Sequence, residues 1–506
     1  MKILLPIILL LSFILNYFVY DIVSISSMLS TYAVLFAVYL LIKHKNITLN
    51  IVGCVVLFLL VFEITYFIIF DEPLSENVID SLLETNSFEL KDMFSLYRLY
   101  LVIPFVLFTL FLFLIKRTGN NKYNPKTWFV PIILLASVSF VTAKSLYNNA
   151  YISGFNRDDF DSEKGRVIKD RFPCVIGNVL YTAYSKFGND KYLSIKDGKL
   201  KSLDKSIIKK HEATSNIIVL VIGESSLSTR YSLYGYDKNT NPNMSKIFNS
   251  QFGCVIKNAH STSPVTRNSI PMTLTFETPE NEIGYFENKS IIEIAKDNGF
   301  KTYWLGSQEL KGYHSSKYGG VALQSDYVEL KLNDDLKMPL LLERQLNDDE
   351  VKKFIIIHLH GSHLPYTNYD VGDKARNHHM DNYDLTILRT DSVVTSIINV
   401  LNKKNKPFTL IYTSDHGEII GKGHGFEKGK EQYLIPFMFY SKNNEFNCSF
   451  IESFRNKDGW LSGIMNKYIL SQMLGYEIDE KFINEDKNND RVLNANNQVK
   501  KFSTIQ

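Results

Sequence analysis

The chain has 506 residues, enough for more than one domain, and its formal net charge of +3 excludes a global basic field of the kind that draws nucleic acid. Hydropathy divides it in two: apolar runs dominate up to about Lys144, and the remainder reads as an ordinary soluble protein. Of four cysteines, Cys54 lies inside an apolar run, which leaves Cys174, Cys254 and Cys448 to form at most one bridge among themselves in an oxidising compartment.

Five apolar runs, at about 3–20, 28–42, 47–70, 96–115 and 128–143, are expected to cross a bilayer. The first follows Lys2 in the manner of a signal peptide, but it lacks a small-residue cleavage site and four more runs follow, so it is read as a retained span. Lys43 and Lys45 follow the second run, and Lys116, Arg117, Lys122 and Lys126 follow the fourth. The loop 71–92 on the opposite side carries seven acids against the single Lys91. The positive-inside rule then makes the amino terminus cytoplasmic, and an odd number of spans puts everything after Lys144 outside the cytoplasm. Glu63 is the only acid within the runs; intramembrane charges are costly and usually paired, and Arg98 is its expected partner.

Residues 148–213 read as a connector. Within it Phe172, Val175, Ile176, Val179, Leu180 and Tyr184 recur at helical spacing, which suits a helix lying on the membrane surface or one packed on the soluble domain. From Asn216 onward, β-rich runs at 217–222, 255–258, 302–305, 354–358, 408–413 and 435–440 alternate with amphipathic stretches such as 290–298 and 382–401. That alternation predicts an α/β domain with a mostly parallel sheet covered on both faces, whose ligands gather at the carboxyl ends of the strands. The tail from Lys481 is polar and Asn-rich and is expected to be partly loose.

Two of these runs stop on metal-type ligands. The run at 217–222 ends in Gly223-Glu224-Ser225, and about 190 residues later the run at 408–413 ends in Asp415-His416-Gly417, with Glu418 next. Two carboxylates and an imidazole suit zinc or a similar divalent ion. The plain alternative is that Asp-His-Gly is a turn and Gly-Glu-Ser a loop. A third segment, Pro264-Val265-Thr266-Arg267-Asn268-Ser269-Ile270-Pro271, reads as a loop turning into a helix, where a hydroxyl could face the strand ends and helix amides could receive phosphate.

Together the three segments resemble the alkaline-phosphatase superfamily, and more closely the membrane-bound phosphoethanolamine transferases. Thr266 stands where that family has its nucleophile, in Thr-x-x-Ser-(Ile/Val)-Pro, and Glu224, Asp415 and His416 match its zinc ligands, with the Thr oxygen as the fourth. Further matches keep the family's order. They are Arg230 to Tyr236 with Asn239 to Pro242, then Gly361-Ser362-His363, then Asn382-Tyr383-Asp384 continuing to Thr390-Asp391, then Gly423-His424-Gly425. The resemblance implies a five-span transmembrane domain (1–147), a connector (148–213) and a sulfatase-like, periplasmic α/β domain (214–506), with the chain in the cell inner membrane. It implies Zn2+ as cofactor, phosphatidylethanolamine as donor, lipopolysaccharide (lipid A or a core sugar) as acceptor, and a phosphoethanolamine-threonine intermediate on Thr266. His363 and His424 would bind phosphate or move protons; the remaining histidines, His260, His358 and His360 among them, are read as structural.

Two departures stand out. Met272 follows Pro271 and no cysteine lies close before Thr266, so the nucleophile loop is held by packing or by a longer-range bond involving Cys254. Leu364 replaces the Gly that often follows Gly-Ser-His, which alters the acceptor side of the cleft. The rival readings are a glycerophosphate transferase of the lipoteichoic-acid-synthase type and a catalytically inactive membrane scaffold.

Overall fold

Strand β2 (Ile217–Gly223) explains why the soluble part folds as it does: seven consecutive apolar or small residues, all buried, can only lie at the centre of a sheet covered on both faces. The structure, a computed structural model, describes residues 4–79, 94, 98, 100, 102–118, 125–152, 167–188, 201–310, 315–348, 350–442 and 445–506. The chain divides into two compact units, Met1–Gly188 and Asn189–Gln506.

The first unit is helical: α1 (Leu4–Ile14, continued by a π-helical turn over Leu15–Val19), α2 (Ile25–Ile42), α3 (Ile47–Phe70), α4 (Val102–Arg117), α5 (Phe129–Ile152) and α6 (Val175–Gly188). Ser24 and Ser27 form a capping box at the start of α2, and the Asn46 side chain accepts from the amides of Thr48 and Leu49 at the start of α3. Among the described residues three helical stretches, not five, are long and apolar enough to cross a membrane: Ile25–Ile42, Ile47–Phe70 and Lys126–Ser145. The first run yields the shorter apolar helix Leu5–Val19 and the fourth the 16-residue α4, both short of the ~20 residues a hydrocarbon core asks for. The start of the fourth run lies largely outside the described residues.

Glu63 is also partnered differently from the expectation. It is buried, accepts from the Tyr20 hydroxyl at 2.9 Å and from Asn178 Nδ2 at 2.6 Å, and so is held by neutral donors rather than by Arg98. Asn178 belongs to α6, whose first residue Val175 and the preceding Cys174 pack among Val34, Leu57 and Val61, while Val179 and Leu180 stay exposed. The helix foreseen in the connector is therefore docked on the helical unit.

In the second unit, β1 (Ile207–Lys210) precedes β2, followed by β3 (Gly253–His260), β4 (Lys301–Gly306), β5 (Tyr327–Leu330), β6 (Lys353–His358), β7 (Phe408–Ser414), β8 (Leu434–Ser441) and β9 (Leu461–Ser462). Strands β2 to β9 make one sheet in the order β5-β4-β6-β2-β7-β8-β3-β9. It is mostly parallel; only β8 runs against its neighbours β7 and β3. Alternate residues of β2 feed two cores. Ile218, Leu220 and Ile222 pack with Ile291, Val321 and Ile469 on one face, and Ile217, Val219 and Val221 with Leu341, Ile387 and Ile398 on the other.

The tail is folded rather than loose. Asp479 caps the helix Glu480–Asn488, and β10 (Tyr476–Ile478) pairs with β1. Strands β11 (Arg491–Leu493) and β12 (Val499–Lys501) form a hairpin that buries Val492 and delivers Phe502 onto His260, with ring centroids 3.7 Å apart. A few apolar and aromatic anchors outweigh the polar composition there. Cys254 in β3 is bonded to Cys448, 194 residues away, and Cys54 and Cys174 are free thiols.

Candidate active site

Because β2 and β7 are adjacent, parallel and in register up to Gly223 opposite Ser414, the residues that follow them emerge side by side. Those residues are Glu224 on one strand and Asp415 and His416 on the other, exposed by 1 %, 4 % and 0 % respectively. Ser225, next after Glu224, sits at φ +53, a left-handed conformation costing on the order of 1–3 kcal/mol for a residue with a Cβ. The Tyr383 hydroxyl holds it there, donating to Ser225 O at 2.6 Å and accepting from Leu227 N at 2.7 Å. Asp391, farther along the same helix (Asn382–Lys403), accepts from the amides of Asn243 and Met244 and caps the helix that Pro242 opens. Two of the motif segments singled out in the sequence thus brace the loop that follows Glu224.

Thr266 is the first residue of the helix Thr266–Leu274. Its Oγ1 lies 2.7 Å from Asp415 Oδ2, 3.2 Å from Glu224 Oε2 and 3.2 Å from His416 Nε2. His416 Nδ1 sits 2.8 Å from Gly417 O, so that nitrogen donates and Nε2 is the one offered to the cluster. Gly417 is required by close approach: a Cβ there would stand 2.2 Å from Glu431 O. Gly361 is required likewise, since its φ is +55 and a Cβ would meet Glu224 N at 2.7 Å. The four residues Glu224, Thr266, Asp415 and His416 are therefore brought together.

The electrostatics are those of a site short of positive charge. Burial, then the charge on Glu224, push the Asp415 carboxyl up to about 7. Burial opposes ionisation of Glu224 as well, but hydrogen bonds from His358 and His416 outweigh it and hold that carboxyl well below the usual range. Burial disfavours a charged His416, yet Asp415 and Glu224 overcome it and lift the imidazole to about 10. Two carboxylates share one proton-rich pocket, an arrangement a divalent cation would relieve.

Around the cluster, His424 stacks obliquely on His416 with centroids 4.1 Å apart, and its Nδ1 lies 3.0 Å from Glu418 Oε2. Glu418 also accepts from the Tyr366 hydroxyl at 2.8 Å. His363 is 6.3 Å from His424, centroid to centroid, and its Nδ1 faces Leu364 O at 2.8 Å. Behind Glu224, Gln308 Nε2 donates to Oε2 at 2.7 Å, and His358 Nε2 lies 3.7 Å from the same oxygen. Ligand atoms of Glu224, His416 and His424 lie within 4.8 Å of one another, as do those of Glu224, His358 and Asp415. Gln308, Tyr366 and the roles of Glu418 and His358 were not read from the sequence. The sheet supplies what was missing: β4 and β6 end in register with β2, at Gly306 and His358, so Gln308 and His358 belong to the same edge as Glu224.

The sulfatase family profile matches residues 216–464, the span that holds every residue of this cluster. Over 443 residues the chain is 25 % identical to phosphoethanolamine transferase EptC of Escherichia coli (strain K12), covering 80 % of this chain and 76 % of that one. The chain is thus similar to phosphoethanolamine transferases over most of its length. Solved structures agree at the level of the fold. The integral membrane lipooligosaccharide phosphoethanolamine transferase A of Neisseria meningitidis superimposes with a TM-score of 0.59 at 18 % identity, over 89 % of this chain and 87 % of that one. The C-terminal periplasmic domain of EptC from Escherichia coli, solved in complex with zinc, gives 0.53 at 23 % identity over 61 % of this chain and 98 % of that one.

Proposed function

We propose that the chain is a zinc-dependent transferase that moves phosphoethanolamine from phosphatidylethanolamine to lipopolysaccharide, on a lipid A phosphate or a core sugar, with Thr266 as nucleophile. The observation that carries this reading is the seat of Thr266 Oγ1, within 3.2 Å of Asp415, Glu224 and His416 at once. A hydroxyl is a weak nucleophile unless a neighbour or a metal activates it. The donor set fits zinc: two buried carboxylates, an imidazole with its other nitrogen pinned, and a hydroxyl, all converging from fixed elements. Glu224, Thr266, Asp415 and His416 would hold the ion, which when bound lowers the hydroxyl pKa and draws charge from a phosphoryl oxygen.

The residues divide the rest of the work. Thr266 Oγ1 attacks the donor phosphorus and gives up its proton, for which Asp415 Oδ2 at 2.7 Å is the nearest acceptor. The bond from phosphorus to the diacylglycerol oxygen breaks, the electron pair leaves with that oxygen, and His424, oriented by Glu418, or His363 supplies its proton. In the second half the acceptor oxygen attacks the phosphoethanolamine-threonine, one of the two histidines takes the acceptor's proton, the bond from phosphorus to Thr266 Oγ1 breaks with its electron pair on that oxygen, and Asp415 returns the proton to Thr266.

The reading places the chain in the inner membrane with its second unit in the periplasm. Support comes from the basic loops near Lys43 and Lys116 and from the Cys254–Cys448 disulfide, which asks for an oxidising compartment independently of how many helices cross. The test is an incubation of the full chain in vesicles with lipopolysaccharide and one of two labelled lipids. One is phosphatidylethanolamine labelled in the ethanolamine; the other is phosphatidylglycerol labelled in the head glycerol. Transfer of the ethanolamine label alone supports the reading, transfer of the glycerol label replaces it with the glycerophosphate transferase, and transfer of neither leaves the scaffold.

A further inference from the structure

Strand β3 runs in the same direction as β7, since both are antiparallel to β8, so its carboxyl end at His260 opens on the same edge of the sheet as Thr266 and its partners. Beside it, where β9 and the tail hairpin complete that edge, lies a cavity of about 350 Å3 that the proposed chemistry does not use. Its aromatic lining is Phe502 and Trp460, ring centroids 4.9 Å apart and 67° to each other. Phe502 is fixed from below by His260, which is fully buried and held by Asp490 at 3.0 Å. Trp460 is half-buried and lines the cavity.

The polar lining is of two kinds. Asn488 and Asn489 offer amides at the edges of the aromatic floor, while the Asn456 amide is spent on Asp490 and on the backbone of Asp458 and Trp460. Lys430, Lys457 and Lys501 contribute three positive charges against Asp458 and Asp490, and Asp490 is already engaged by His260 and by Asn456 Nδ2 at 2.8 Å. Lys430 Nζ lies 4.6 Å from the Phe502 centroid and 5.6 Å from that of Trp460, which holds a cation at the floor of the cavity. Phe502 is buried beneath His260 and Lys430, so Trp460 is the ring that suits the C–H face of a pyranose; the Asn488 and Asn489 amides suit its hydroxyls, and an excess of lysine suits a phosphate or carboxylate on it. A free cation is disfavoured by the same three lysines.

We infer that this cavity is a binding site for an anionic sugar, which rests on the reading above that the acceptor is a glycolipid and assigns it a place on the protein. The cavity is joined to the catalytic cluster from two sides. Asn268, two residues after Thr266, donates to Asn497 Oδ1 at 2.8 Å in the turn of the hairpin that carries Phe502. The segment that begins at Lys430 receives Gly417 N on Gln432 O at 2.9 Å, one residue beyond His416. A saccharide held here lies against the frame that positions both halves of the site.

The test uses the full chain in nanodiscs and two probes: a deacylated, phosphorylated lipopolysaccharide core oligosaccharide, and the same oligosaccharide after chemical dephosphorylation. Binding is read by titration calorimetry, and loading of Thr266 from labelled phosphatidylethanolamine is read in parallel. Trp460→Ala and Lys430→Gln each weaken binding of the phosphorylated probe roughly ten-fold, and dephosphorylation has an effect of similar size on the wild type. Loading of Thr266 stays at the wild-type level in both variants. Should Trp460→Ala melt early, Lys457→Gln on the exposed wall replaces it and weakens binding in the same direction. Unchanged affinity in Lys430→Gln and Lys457→Gln, equal affinity for both probes, or no binding by the wild type overturns the assignment. If the wild type binds the oligosaccharide but never loads Thr266, the proposed transferase reading fails while the sugar site stands.

Discussion

In the middle of the sheet, β2 and β7 run out of a closed core into Glu224, Asp415 and His416, none more than 4 % exposed. At the β3 and β9 end, the same edge carries Trp460, Lys430 and Lys501 around an open cavity floored by a residue from the tail. The first region has like charges forced together where water cannot screen them; the second has cations spread over a surface where water can. The middle is thus suited to activate a hydroxyl, and the end to recognise what receives the group. Variants in the two regions are expected to separate the two halves of the reaction.

The largest effect is expected at the centre. Thr266→Ala removes the group on which everything else acts, and transfer to lipopolysaccharide in vesicles falls on the order of 10^4-fold or more, with the melting temperature unchanged. A smaller loss is expected one layer out. Gln308 holds one oxygen of Glu224, so Gln308→Ala lowers zinc affinity, read by chelator competition, by roughly 10–100-fold. Wild-type affinity in that variant would detach Gln308 from the site.

Acid provides a third separation. In the metal-free protein Asp415 is raised to about 7 and His416 to about 10, so each binds its proton more tightly than a free side chain does. Zinc must displace those protons, and its affinity therefore falls as pH is lowered, by roughly ten-fold per pH unit for each proton displaced. Calorimetry in buffers of different ionisation enthalpy at about pH 6.5 and about pH 8 measures the protons released; a pH-independent affinity would contradict the charge distribution described. The mildest effect on catalysis is expected from Cys254→Ser, which opens a long loop near the β3 end. It lowers stability by about 2–4 kcal/mol, read by denaturant unfolding, and leaves zinc affinity as it was.

The same contrast explains what could be read in advance. Strands β2, β6 and β7 are buried on both faces, so their apolar runs stand out and the acids ending two of them are conspicuous. By contrast β5 is half-buried throughout and β9 has two residues, so neither carries a period to detect. The tail looked solvent-like because its few anchors, Val492 and Phe502, are scattered among asparagines. Gln308 and His358 went unassigned because their role depends on which strands are neighbours, which no local pattern encodes. In the helical unit composition marks five runs, and among the described residues three helices reach crossing length. Among the described residues the first and fourth runs give only the shorter helices Leu5–Val19 and Val102–Arg117, and Glu63 is satisfied by Tyr20 and Asn178.

The central claim is that Thr266 carries the group in transit. Full-length protein is incubated with phosphatidylethanolamine in the absence of lipopolysaccharide, quenched in acid, digested and analysed by mass spectrometry. The account predicts a phosphoethanolamine adduct on the peptide containing Thr266, absent in Thr266→Ala and discharged when lipopolysaccharide is added before the quench. An adduct on any other residue, or full transfer activity with Thr266 never modified, would contradict it.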